Sequence, residues 1–175
     1  MITLPYPHLL VCLLVLILPS MLTAQLGYAL EIPDIPGEET RLGFEDQITI
    51  SSFSYGVSSD DDGGSSRPSV TQGCFLLGKF TDRATPFLFD AVARHRRFDE
   101  ITFTAYRTTE GTVNLIVYEL RDVKITKWET GAEDGTAIEE VIGLVAEEVE
   151  VTYYLQDPSG GQTEYSMKYN FATPR

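Results

Sequence analysis

Cysteine, histidine and positive charge are all scarce in this chain, and each shortage removes a class of function. Of 175 residues, two are cysteine, Cys12 and Cys74, and two are histidine, His8 and His95. Cys12 lies inside an apolar N-terminal run, so once that run is removed Cys74 has no partner for an internal disulfide. No cationic neighbour in sequence activates Cys74, which reads as a small buried apolar residue at a strand start between Gly73 and Phe75. With His95 the one histidine left, a two-histidine metal site or a facial triad cannot be assembled. Basic residues number 13 against 26 acidic ones, a formal net charge of -13. Nucleic acid and anionic lipid need clustered Lys and Arg, so neither is expected as a partner. The one basic cluster, Arg94, Arg96 and Arg97, falls where it complements the negative end of a helix dipole.

Catalytic motifs are missing too. No Gly-x-Ser-x-Gly elbow occurs, and Gly63-Gly64 and Gly160-Gly161 lack the lysine and helix start that a phosphate loop requires. Asp60, Asp61, Asp62 and Gly63 could suit a hard cation, but the later ligands and closing Glu of an EF-hand are not there, and the stretch reads as a solvated acidic loop. The pairs Glu139-Glu140 and Glu147-Glu148 occupy adjacent positions, which point to opposite faces of a strand. The expectation is a protein that is not an enzyme and holds no cofactor or metal.

Residues 1–29 form a separate unit. Leu9 to Leu18 is unbroken apolar sequence, followed by Pro19, Ser20 and small residues, the pattern of a secretory signal peptide. The run is short for a bilayer span and no stop-transfer charges follow it, so no stable membrane anchor is expected. Two cleavage sites compete. Gly27-Tyr28-Ala29 fits the small-x-small rule better than Leu22-Thr23-Ala24, which places the cut after Ala29 and the folded domain at 30–175.

What the domain does have is alternation and one helix. Thr85 and Pro86 start a helix that runs to about His95, with Leu88, Ala91, Val92 and His95 on one face and Thr85 as the residue that receives an orphan amide. Elsewhere the period is two. Leu30 to Gly37 reads as a short edge strand because Pro33 cannot donate to a ladder. Gln47–Val57, Cys74–Phe80, Glu100–Arg107, Thr112–Leu120 and Val123–Trp128 alternate, as does Gln162–Phe171. Thr108 to Gly111 turns one hairpin, and Glu129 to Thr136 is a second acidic loop. Glu139 to Leu155 reads as strand with a bulge at Gly143. Ser58 to Gln72 is the one long irregular segment. The sum is a mainly β fold, an antiparallel barrel or sandwich of about eight or nine short strands with one flanking helix.

Five pieces in order carry a family resemblance. They are Ile35-Pro36-Gly37-Glu38-Glu39-Thr40, the run Ile48 to Ser58 ending in Ser-Tyr-Gly-Val-Ser, Asp82-Arg83-Ala84-Thr85-Pro86-Phe87-Leu88, Leu120-Arg121-Asp122-Val123, and Ile138-Glu139-Glu140-Val141. In these the chain resembles the haemolysin-coregulated protein (Hcp) family, the tube protein of type VI secretion. The resemblance implies a β-barrel with one helix, no catalytic residues, and hexameric rings that stack into a tube with cargo in the lumen. Its implied partners are further copies of the chain, secretion-apparatus proteins and effector cargo. It also implies that the loop after the Gly-Val-Ser strand contacts the adjacent ring. Here that loop comprises Ser58, Ser59, Asp60, Asp61, Asp62, Gly63, Gly64, Arg67 and Pro68. Tube proteins of the family work from the cytoplasm, whereas a signal peptide implies a secreted or periplasmic product. The alternative is therefore an exported binding module, monomeric or oligomeric, that keeps the fold.

Overall fold

The computed structural model describes residues 25–60, 69–108, 111–157 and 160–173. Its elements in chain order are β1 (Gln25–Glu31), β2 (Ile48–Ile50), β3 (Ser52–Ser54), β4 (Val57–Asp60), β5 (Ser69–Gln72), β6 (Phe75–Phe80), α1 (Thr85–Ala93), β7 (Arg97–Thr108), β8 (Thr112–Gly131), β9 (Glu139–Val145), β10 (Glu148–Gln156) and β11 (Gln162–Asn170). Nine strands form one sheet whose path runs β2-β1-β7-β8-β9-β6-β3, with β10 on β8 and β11 on β10, and β4 and β5 pair apart as a second sheet. Every pairing is antiparallel.

The two ends of that path are β2 and β3, which only Ser51 separates, and Ser51 N–H bonds the Gly78 carbonyl of β6 at 2.8 Å. The sheet therefore closes on itself as a small barrel, which removes the free edges an open sheet would carry there. Its interior is apolar: Leu30, Ile48, Leu77, Phe103, Ile142 and Leu144 have no solvent exposure. Helix α1 packs on β8 and sends Leu88 and Ala91 into the same core.

The entry to α1 is held by charge. Lys79 on β6 and Glu140 on β9 are opposite in register, both side chains are fully buried, and Lys79 Nζ lies 2.7 Å from Glu140 Oε2. The same ammonium donates to the Phe80 carbonyl at 2.7 Å and meets Asp82 Oδ1 at 2.8 Å. Asp82 Oδ1 in turn accepts the Ala84 N–H at 2.9 Å, while Thr85 Oγ1 accepts the Asp82 N–H at 3.2 Å. Thr85 thus receives an amide as expected, but that amide lies in the turn before the helix. The N-cap is Ala84, which makes no side-chain cap bond, and Pro86 sits at the helix start.

Several sequence expectations change. The helix stops at Ala93, because His95 takes a left-handed φ of 53° and turns exposed toward solvent instead of joining the apolar face. The expected edge strand from Leu30 is instead β1, which begins at Gln25 and lies between β2 and β7; Pro33 falls in the turn closed by an Ile32–Ile35 bridge. The run Gln47–Val57 breaks into β2, β3 and the start of β4, since barrel closure bends it at Ser51 and again at Tyr55-Gly56. Thr112–Leu120 and Val123–Trp128 are one strand, β8, and the expected loop at Glu129 begins only after Gly131. The bulge expected at Gly143 lies across from it, between Ile125 and Lys127 on β8. Gly143 makes room for it, since a Cβ there would sit 2.9 Å from Lys127 Cβ and 2.7 Å from Cys74 Sγ. Cys74 is half-buried rather than buried, with Sγ 3.5 Å from the Leu144 carbonyl. The three arginines do not act as one basic cluster: Arg94 pairs with Asp90, Arg96 with Asp34 and Arg97 with Glu147.

Removing one partner of a buried ion pair strands the other charge, at about 3–5 kcal/mol. Lys79→Met is accordingly expected to lose about that much in urea denaturation, and Lys79→Met with Glu140→Leu to regain at least half of it. A single variant as stable as the parent would contradict the assignment.

Candidate assembly surfaces

The residues expected to touch an adjacent ring begin on a regular element. Val57–Asp60 pairs with Ser69–Gln72 as a two-stranded hairpin, with Ser58 opposite Thr71 and Ser59 opposite Val70. This corrects the reading of 58–72 as irregular. Alternation was hidden because serines fill both faces of β4. Ser58 and Ser59 are exposed, Val57 is 52% exposed, and the hairpin's base is fastened by Gly73 N–H to the Gly56 carbonyl at 2.8 Å. Asp61, Asp62, Gly63, Gly64, Arg67 and Pro68 lie outside the described residues, as does the side chain of Asp60.

A second surface follows from register. Leu30 is opposite Phe103, Phe103 opposite Tyr118, Tyr118 opposite Val151 and Val151 opposite Met167. Residues directly opposite share a face, so this row is one side of one sheet. It starts at Leu30 and Phe103, with no exposure, and ends at Met167 with 79%. The next row runs Ala105, Ile116, Tyr153, Tyr165, from 3% exposure to 59%. The core side of the barrel wall thus continues past the barrel onto β10 and β11, where none of the described residues is laid over its outer end.

The cause is the geometry of β8. Its C-terminal part pairs with β9 and its N-terminal part with β10, and the switch lies at Asp122, which has a left-handed φ of 52°. Beyond the bend β9 leads to β6 and closes the barrel, while β10 leads only to β11. Where β9 and β10 part from β8, an aromatic group fills the gap: Phe75 lies 5.2 Å from Tyr118 and 4.9 Å from Tyr55, and Phe53 lies 4.7 Å from Phe103. Burial raises the pKa of the Tyr55 and Tyr118 phenols, which keeps both neutral. Alternation of Val149, Val151, Tyr153 and Leu155 is plain in sequence, yet alternation alone does not say whether a face is covered. Met167 and Tyr165 went unnoticed for that reason.

The other side of the same strands is ionic. Arg121 meets Glu119 at 2.6 Å, Glu148 at 3.1 Å, and Glu150 and Glu100 at 3.2 Å, and Lys168 meets Glu148 at 3.1 Å. Hydrogen bonds from Lys168 and then Arg121 hold Glu148 below the usual carboxylate range; Ser166 and then Arg121 do so for Glu150. The four carboxylates in turn push Arg121 further up, so the guanidinium never loses its proton. Nothing in this cluster is arranged for proton transfer, and among the described residues no group of three His, Cys, Asp or Glu side chains could hold a metal ion.

The family model described as type VI secretion system effector, Hcp, matches residues 29–155. The chain belongs to the Hcp family. It is thereby a secreted structural protein of the type VI secretion tube family and not an enzyme. Solved structures share its fold. A type six secretion system protein superposes with a TM-score of 0.78 at 17% identity, covering 86% of this chain and 99% of its own. Hcp1 from Salmonella typhimurium gives 0.70 at 16%, covering 86% and 97%. The secreted protein Hcp3 from Pseudomonas aeruginosa gives 0.58 at 17%, covering 84% and 99%. No curated protein matches the sequence. The family match ends within β10, so the exposed strand β11 lies outside it.

Because the folded-state pKa values of Glu148 and Glu150 are lowered, the stabilisation they provide is present above the ordinary carboxylate value and is lost as pH falls through the lowered values. Arg121→Met is therefore expected to melt a few degrees lower than the parent at neutral pH, with the gap closing below about pH 4. Thermal melts of both proteins across that range check this; a gap that stays constant with pH would show that Arg121 acts through packing alone.

Proposed function

We propose that this Hcp-family protein is exported through a signal peptide and assembles with copies of itself into a hexameric ring able to stack and enclose cargo. The observation that carries the ring is the exposed inner face of β10 and β11, where Tyr153, Leu155, Tyr165 and Met167 lie uncovered among the described residues, beside half-buried Val151. Large apolar side chains on a continuous sheet face lose free energy in water, about 1.5–3 kcal/mol for each one that a partner could bury. A second copy is the occupant that family membership favours, and the ionic reverse face of the same strands fixes which side stays wet. Ring formation places a neighbour on that face in every subunit, as a heterologous contact that closes.

The hairpin of β4 and β5 supports the stacking contact. Among the described residues its two strands pair with each other, in a sheet separate from that of the barrel. Ser58, Ser59, Asp60, Asp61, Asp62, Gly63, Gly64, Arg67 and Pro68 are the residues through which one ring would meet the next.

Met167→Glu tests the ring without endangering the fold, since the side chain is already in solvent in the isolated subunit. Native mass spectrometry is expected to show hexamer for the parent and mainly monomer for the variant, with subunit affinity down about 30-fold. A monomeric parent would favour the exported binding module instead. Shortening 60–68 to a tight turn should leave hexamers intact and abolish stacked rings in electron micrographs, and stacks that persist would move the contact elsewhere.

A further inference from the structure

We infer that export cuts the Ala24–Gln25 peptide bond, so that the mature chain keeps all seven paired residues of β1, Gln25–Glu31. The inference rests on the export reading and concerns where the leader ends. The better small-x-small match, Gly27-Tyr28-Ala29, lies in the middle of a strand that the barrel cannot lose. All seven residues of β1 pair with β7, from Gln25 opposite Thr108 to Glu31 opposite Thr102, and Tyr28, Ala29 and Leu30 pair with β2 on the other side. A cut after Ala29 would leave two residues of that strand. It would strip the partners from Thr104 to Thr108 of β7 and from Thr49 and Ile50 of β2, opening a barrel that is otherwise closed.

Each of the three residues also has a packing reason for its identity. A Cβ at position 27 would overlap the Tyr106 ring, which stacks on Phe44 at 4.4 Å. Tyr28 meets Phe53 at 5.3 Å and Phe103 at 6.0 Å. Ala29 has no exposure at all. The small residues that imitate a protease site are thus small because the barrel wall is tight. Ala24 then supplies the small residue before the cut, and exposed Gln25 supplies a new terminus that disturbs no buried contact.

The step is hydrolysis by the signal peptidase of the exporting membrane. One water adds across the amide, leaving a carboxylate on Ala24 and an amine on Gln25. An amino-terminal glutamine can then cyclise, its amine displacing ammonia from its own side-chain amide.

Intact-mass measurement of the exported protein, made from the full 175-residue chain in a bacterial host, tests this. The expected mass is that of residues 25–175, or that mass less one ammonia. The mass of 30–175 would overturn the cleavage site while keeping export. An uncut 1–175 would overturn the export reading and the site together. Ala24→Tyr in the full chain is expected to reduce processing at least tenfold, and unchanged processing of that variant would also overturn the site.

Discussion

A buried ammonium group sets the terms for the rest of the molecule. Lys79 Nζ is shut off from solvent and needs partners, and the structure provides them from three directions: the Glu140 carboxylate across the sheet, the Asp82 carboxylate at the helix entry and the Phe80 carbonyl of its own strand. Coulomb attraction inside a protein scarcely repays the loss of hydration, so the pair adds little net stability over apolar residues of the same shape. What it does is forbid alternatives. A slip of β6 against β9 by one residue would bury both charges without each other, and a helix that started elsewhere would leave Asp82 and the Ala84 amide unmatched. Register at the closing seam and position of α1 are therefore settled by the same atom.

Once β6 and β9 are locked, the length of β8 decides what remains open. A strand of 20 residues is too long for one wall of a small barrel. It bends at Asp122, gives its C-terminal part to the closed wall and carries its N-terminal part outward with β10 and β11. Closure of the barrel and exposure of the apolar rows are thus two results of one bend. The aromatic group at the fork, with Tyr118 between Phe75 and Phe103, keeps water from entering the core through the gap.

Much of this could be read from sequence where local chemistry and the final fold agree. Thr85-Pro86 marks the helix start, two-residue alternation marks most strands, and the turn between Thr108 and Thr112 falls where register places it. The failures have physical causes. The strand β1 was lost to the leader because Gly27, Tyr28 and Ala29 satisfy a protease's preference and a tight barrel wall equally well. The hairpin of β4 and β5 reads as loop in sequence because Ser58 and Ser59 give no contrast between faces. The unity of β8 was missed because Asp122, a polar residue in left-handed geometry, looks like a turn in sequence while both sides continue to pair with β7. Coverage of a face is a property of what stacks on it, and no pattern within β10 or β11 contains that information.

Charge closes the argument for how such a protein can associate at all. Each chain carries a formal charge of -13, and the cations around β10 and β11, Arg121 and Lys168, are already committed to carboxylates of the same subunit. Copies of the chain therefore repel one another at long range, and among the described residues the cations of this reverse face, Arg121 and Lys168, already have carboxylate partners. Repulsion between exposed charges fades within about 8 Å at physiological salt, whereas apolar burial acts on contact. An assembly of like-charged subunits must then be driven at short range by an apolar surface, and the rows ending at Met167 and Tyr165 lie on the opposite side of the sheet from the charges that would oppose it. The pleat separates the two by sending alternate residues to opposite faces, so the same nine-residue strands keep the protein soluble on one side and ready to be covered on the other.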